Sequence, residues 1–250
     1  MNDNREVLAF MAHPDDIEIL CAGTLIRLRD KGYRIHMATM TAGDAGSMEL
    51  SGEAIARVRL GEARSSANLL ESTYHCLGEK DCLISYQAAT IKKAIEVVRI
   101  CQPFLVITHA PSDYMLDHEV TSQVVRNACF SAPAPNVKTD VAPAAVPAPG
   151  IPYLYYAATI ENRNIWGEVC KPDIIVDTSQ VMALKEKMLE CHASQREWLL
   201  KHHGVDEFVE SMRRWSAELA LPGTAYAEGF RQHRGHAYPQ DDKLSEILGG

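Results

Sequence analysis

Short apolar runs alternate with longer amphipathic stretches through the first half of the chain. Glu6 to Ala12 (EVLAFMA) reads as a strand, Ile17 to Lys31 as a helix closed by Gly32, and Tyr33 to Thr41 as a second strand of apolar and β-branched side chains. A loop at 41–47 (TAGDAGS) precedes a long helical pattern from Glu53 to Leu70. There Ile55, Val58, Ala63, Ala67 and Leu70 recur between Arg57, Arg59, Glu62 and Arg64. A short strand near Tyr74 to Leu77 turns at Gly78, and Thr90 to Cys101 carries Ile91, Ile95 and Val98 on one helical face. FLVITH (104–109) is again a buried-strand run. Such alternation predicts βαβ units around a parallel sheet.

APSDYMLDH (110–118) leads into a helix through Val120, Val124, Val125 and Ala128. Residues 132–150 hold five prolines and read as an extended surface loop, a lid or a subunit-contact arm. Strands are expected at 152–159 and 173–179, then two helices, Val181 to His202 and Asp206 to Leu219, within a C-terminal helical and tail region over 181–250. The expected fold class is α/β: one domain over 1–250, built on a Rossmann-like open, mostly parallel sheet with helices on both faces.

Composition narrows the function. The 250 residues suffice for one large core, and 46% hydrophobic with 23% charged residues is ordinary for a globular enzyme. A formal charge of −8 argues against nucleic acid and anionic membrane surfaces as partners. No secretory signal pattern or membrane-length apolar run is present, so a cytoplasmic location is expected. The seven cysteines are scattered with no CxxC pair, which suggests reduced thiols and excludes a zinc ribbon.

In an open parallel sheet, ligands bind outside the carboxyl ends of the strands. Two polar clusters fall there: His13, Asp15 and Asp16 after the first strand, and Asp113, Asp117 and His118 after FLVITH. The first strand lacks a G-x-G-x-x-G turn, and its acidic pair would repel a phosphate, so a cation is the natural guest. Two histidines and a carboxylate with one position left open is the donor set of a catalytic zinc site. His13 and Asp16 can turn toward one point, with His118 as third ligand. Asp15 is then free to take a proton from a zinc-acidified water, whose pKa falls to about 7. The competing reading is a helix capping box, Asp15-x-x-Glu18, with acids favoured at a helix N-terminus.

These residues resemble the LmbE-like, or PIG-L, family of zinc-dependent N-deacetylases. AHPDDIE (12–18) matches the family signature, and the similarity continues in Gly23-Thr24-Leu25, Arg59 to Ala63, Asp117-His118, VDTS (176–179), CHASQ (191–195) and YAEGFR (226–231). The resemblance implies a Zn2+ ion, or another divalent metal, on His13, Asp16 and His118, with Asp15 as general base and acid. It also implies a small N-acetylated amino-sugar substrate of N-acetylglucosamine type and a homo-oligomer. Arg59 matches a position that suggests a substrate contact, against the alternative of a solvated arginine paired with Glu62. Asp117 would orient His118 or a neighbouring imidazole.

One position departs from the family. Where its members commonly read HPDH, this chain reads Met115-Leu116-Asp117-His118, and methionine cannot donate the hydrogen bond that helps hold the oxyanion. Losing such a donor costs about 3 kcal/mol unless another group supplies it, for which Tyr114 and the C-terminal His233 or His236 are the candidates. A solvated basic tail is the alternative for Arg231 to His236. His192 lies on a core stripe and reads as a buried, hydrogen-bonded residue. Two other functions stay open: a hydratase or amidase acting on a non-sugar acid at the same metal, and a non-catalytic metal- or sugar-binding protein.

Overall fold

The computed structural model describes residues 4–203 and 207–249, without the side chains of Trp198, His202 and His203. Among the described residues, one sheet contains β1 (Glu6–Met11), β2 (Arg34–Thr41), β3 (Thr73–Glu79), β4 (Leu105–Thr108), β5 (Tyr153–Ala157), β6 (Ile174–Asp177) and β7 (Ala227–Gln232). The spatial order is β3-β2-β1-β4-β5-β7-β6, with β7 antiparallel to both neighbours and every other pair parallel. The mostly parallel open α/β sheet is therefore as expected.

The helices are α1 (Asp16–Leu20), α2 (Ala22–Asp30), α3 (Gly52–Leu69), α4 (Ala88–Cys101), α5 (Leu116–Ser131), α6 (Met182–Glu190), α7 (Ala193–His203), α8 (Phe208–Glu218) and α9 (Lys243–Leu248). They cover both faces of the sheet. Strand side chains alternate in direction, so Val7, Ala9 and Met11 pack with Leu25, Leu28, Met188 and Leu244, while Leu8 and Phe10 pack with Ile95, Val98, Val124, Val125 and Ala128. Burial on both faces explains why β1 reads as an unbroken apolar run.

Several elements differ from the sequence reading. The helix expected over 17–31 breaks at Cys21, whose φ is −148°. The amides of Gly23 and Thr24, freed at the start of α2, donate to the two carboxylate oxygens of Glu228 at 2.8 and 2.7 Å. Lys185, fully buried, faces the same carboxylate at 2.7 Å. Glu228 belongs to β7, a strand inside the expected C-terminal helical and tail region. Its inward carboxylate breaks the apolar alternation by which strands are recognised.

The helix expected over 181–202 is likewise two, α6 and α7, parted at Cys191 and His192. Gly78, expected as a turn, lies inside β3 at φ +68°, within an irregularity in the β2–β3 pairing between Cys76 and Glu79. Asp206, the expected start of the last long helix, lies outside the described residues.

The proline-rich loop is held against α4. Glu96 accepts from Ala145 N–H at 2.7 Å and from the Thr139 hydroxyl at 2.6 Å, and Gln102 donates to the Val146 carbonyl at 3.1 Å. Gln102 immediately precedes the segment entering β4, so this loop borders the amino ends of the strands. It is not a lid over their carboxyl ends.

Candidate active site

β1 and β4 are neighbours, but the chain continues from β1 toward β2 on one side of the sheet and from β4 toward β5 on the other. The crevice beyond their carboxyl ends is where a strand-order reversal leaves room for a ligand. Both polar clusters meet there, and His13, Asp15, Asp16 and His118 line a cavity of about 590 Å³.

Asp16 is the hub. Its Oδ2 accepts from His13 N–H at 2.7 Å and lies 3.3 Å from His13 Nδ1, while its Oδ1 lies 3.5 Å from His118 Nε2. The opposite nitrogens of both rings face other carboxylates. His13 Nε2 is 3.2 Å from Asp117 Oδ2 and 3.2 Å from Asp81 Oδ1, and His118 Nδ1 is 2.9 Å from Asp113 Oδ1. A carboxylate behind each ring fixes its orientation and leaves the other nitrogen toward Asp16, the arrangement that supports metal-ligating histidines. One donor atom from each of His13, Asp16 and His118 falls within a common 4.8 Å.

Asp117 thus orients His13, and Asp113 serves His118. His109, to which the sequence alone assigns no role, is fully buried, with Nε2 3.1 Å from Asp16 Oδ2 and its ring stacked on His118 at 3.9 Å. It directly follows β4 at the crevice, and that position was the available signal. Carboxylates from Asp15, Asp16, Asp81, Asp113 and Asp117 outnumber the imidazoles, so this enclosed donor set fits a divalent cation.

Burial would depress the His13 imidazole, but hydrogen bonds to Asp117, Asp16 and Asp81 hold it well above its usual range. His118 rises to about 9 because Asp16 and Asp113 outweigh its burial. Asp16 is held well below the carboxylate range, as the charges of His118 and His109 overcome burial. Burial instead dominates at Asp15 and lifts it to about 6, against the lowering effect of Arg59. Two adjacent aspartates are therefore driven apart, one toward permanent ionisation and one toward proton exchange near neutrality.

The capping-box alternative is not what forms. Asp15 occupies the N-cap position of α1 at φ 100° and makes no side-chain cap. Glu18 turns inward to the Ser66 hydroxyl at 2.5 Å and to His192 Nε2 at 3.2 Å. His192 is fully buried there.

Arg59 is buried, not solvated, and Glu62 is engaged elsewhere by Ser194. The Arg59 guanidinium donates to the Pro14 carbonyl at 2.7 Å and reaches Asp15 Oδ2 at 3.4 Å. Its close passage over the loop after β2 requires glycine: a Cβ at Gly43 would stand 2.2 Å, and at Gly46 2.6 Å, from Arg59 Nη1. Arg59 Nε and Gln195 Oε1, both from residues lining the cavity, are buried without hydrogen-bond partners.

Tyr114 and Met115 also line this cavity, and the Tyr114 ring meets His118 edge-on at 5.4 Å. His233 is not brought here. Its Nδ1 lies 3.0 Å from the Tyr156 hydroxyl, its ring packs on Tyr238, and it lines a separate cavity on the β5–β7 side.

An open α/β sheet with an acidic, histidine-rich cluster at its strand-order reversal defines the class of protein. Residues 8–129 match the PIG-L family model, GlcNAc-PI de-N-acetylase. It is 28% identical over 244 residues to diacetylchitobiose deacetylase of Thermococcus kodakarensis, covering 92% of this chain and 84% of that protein. The solved N,N'-diacetylchitobiose deacetylase of Pyrococcus horikoshii superposes with a TM-score of 0.76 at 27% identity, covering 95% of this chain and 88% of that one. The chain is also 22% identical over 238 residues to a 4-oxalmesaconate hydratase of Pseudomonas putida, covering 91% of this chain and 88% of that protein. Among the described residues no helix is long and apolar enough to cross a membrane.

Proposed function

We propose that the protein is a zinc-dependent de-N-acetylase of an N-acetylated amino sugar. The observation that carries this reading is the division of labour between adjacent aspartates: Asp16 faces His13 and His118, while Asp15 stands free of any cap with its carboxyl at about 6. His13, Asp16 and His118 would hold the ion, which when bound acidifies water and polarises an amide carbonyl.

The chain's own residues account for the proton movements and the positioning. Asp15, ionised above about pH 6, takes a proton from the attacking water and returns it to the departing amine. Arg59 fastens Asp15, and Arg59 and Gln195 both line the cavity that would receive the substrate. Tyr114, whose hydroxyl is the donor closest in sequence to Met115, supplies the hydrogen bond that Met115 cannot. Asp113 and Asp117 keep His118 and His13 in register.

A second reading is hydration of an unsaturated acid, favoured by Met115 in place of a donor and by the similarity to a hydratase. Zinc-loaded protein assayed on N-acetylglucosamine, diacetylchitobiose and related conjugates, with detection of free amine, separates the two. Amine release that falls by about 10²–10⁴ in Asp15→Asn at unchanged zinc content supports the first reading. Turnover of unsaturated dicarboxylates with no amine release from any sugar supports the second.

A further inference from the structure

At the other end of the strands, away from the candidate active site, a second group of metal-type donors comes together. His36 of β2 lies opposite Leu8 of β1, and His75 of β3 lies opposite Ala38 of β2. Parallel registration places Glu6, His36 and His75 on one sheet face, the face covered by α4, whose last residue is Cys101.

One donor atom from each of His36, His75 and Cys101 falls within a common 4.8 Å. Cys101 Sγ is 3.6 Å from His75 Nε2, and the two imidazole centroids are 5.8 Å apart. Zinc–sulfur and zinc–nitrogen bonds of about 2.3 and about 2.0 Å, opened to a tetrahedral angle, separate the two ligand atoms by roughly 3.5 Å. The sulfur–nitrogen distance here matches that span.

His36 strengthens the case. Its Nε2 lies 3.0 Å from Glu6 Oε2, while Glu6 Oε1 is held by Arg34 Nε at 2.6 Å. The His36 Nδ1 is buried without a hydrogen-bond partner. A carboxylate behind one imidazole nitrogen and an unsatisfied buried nitrogen on the same ring are what a metal ligand displays before it is loaded. A thiol–imidazole hydrogen bond would account for Cys101 and His75 alone, and it leaves His36 unexplained. A cleft of about 460 Å³ lined by Glu6, His36, Thr73 and Cys101 gives an ion a route in.

We propose that His36, His75 and Cys101 form a second metal site, for a divalent ion of the zinc class, with Glu6 orienting His36. Binding forms a metal–sulfur bond at Cys101 and releases the thiol proton to solvent, while both imidazoles bind as neutral bases. No oxidant or reductant is involved. The ion fastens edge strand β3 and β2 to the end of α4, so its role is to hold the fold and does not depend on the reaction proposed above.

Cobalt titration of the metal-stripped full chain tests the site, with bound metal counted by mass spectrometry and near-ultraviolet absorption recorded. The expected result is two equivalents per chain with a thiolate-to-cobalt charge-transfer band. Cys101→Ser and His75→Gln should each lose one equivalent and the band. His13→Ala should lose the other equivalent and keep the band, and Cys82→Ser, next to the active-site cavity, should keep it too. A single equivalent without the band in the unmodified chain, or a band that survives Cys101→Ser, overturns the proposal.

Discussion

Arg59 Nη2 lies 3.4 Å from Asp15 Oδ2, so a buried guanidinium is fastened to the carboxylate assigned the proton. Burial raises Asp15 and Arg59 lowers it. Removing the guanidinium as Arg59→Met takes away the largest lowering effect and leaves only those of His192 and His13 against burial, so Asp15 becomes protonated at higher pH. A general base is lost on protonation, and the acid limb of the kcat/KM profile should move to higher pH. A pH–rate profile with an unmoved or lowered acid limb would count against this coupling.

Gly46→Ala should reproduce part of that effect. The added Cβ, 2.6 Å from Arg59 Nη1, displaces the guanidinium, and Gly46 has no positive φ to strain. Activity should fall and the acid limb should shift in the same sense as in Arg59→Met, with a stability change below about 1 kcal/mol. Combining the two substitutions should add little, because both act on one side chain.

Asp113→Asn and Asp117→Asn remove the charges that orient His118 and His13. Each should weaken zinc binding by about 10- to 100-fold, measured by chelator competition. Unchanged zinc affinity in both variants would remove these carboxylates from the site's support.

The metal-free protein should show a particular pH dependence. His118 rises from 6.5 to about 9 on folding, so its contribution is complete below pH 6.5 and is lost as pH climbs through about 9. Denaturant midpoints of the metal-stripped chain should therefore decline across that window. If zinc is held as proposed, the imidazoles would bind it as neutral ligands and the zinc-loaded protein should decline less.

Lys185→Met strands the Glu228 carboxylate inside the core. Breaking a buried pair from one side costs about 3–5 kcal/mol. The lower end is expected, because Gly23 and Thr24 still donate to Glu228. Urea unfolding should show the loss as a lower midpoint at similar slope.

How far the sequence could be read depended on what each residue's role rests on. The strands β1, β2 and β4 were legible because burial on both faces leaves an apolar run that needs no knowledge of neighbours. His13, Asp15 and Asp16 stood out for the same local reason, an ionisable group directly after such a run. β7 was not legible, since Glu228 points inward toward a lysine more than forty residues away in the chain, at |i−j| = 43. Nor were the breaks at Cys21 and at Cys191 and His192, which the helical periodicity alone runs straight through.

The sequence by itself determined the α/β layering and the chemical character of the two strand-end clusters, because hydrophobic period and residue type are local properties. Which carboxylate serves which imidazole was decided only by the tertiary structure: Asp117 went to His13, Asp113 to His118, and Arg59 to Asp15. So were the entry of His109 into the cluster and the placing of His233 on another cavity. Hydrogen-bond partnership and burial depend on distances between elements far apart in the chain, and those distances exist only once the sheet has set β4 beside β1 and β7 beside β5.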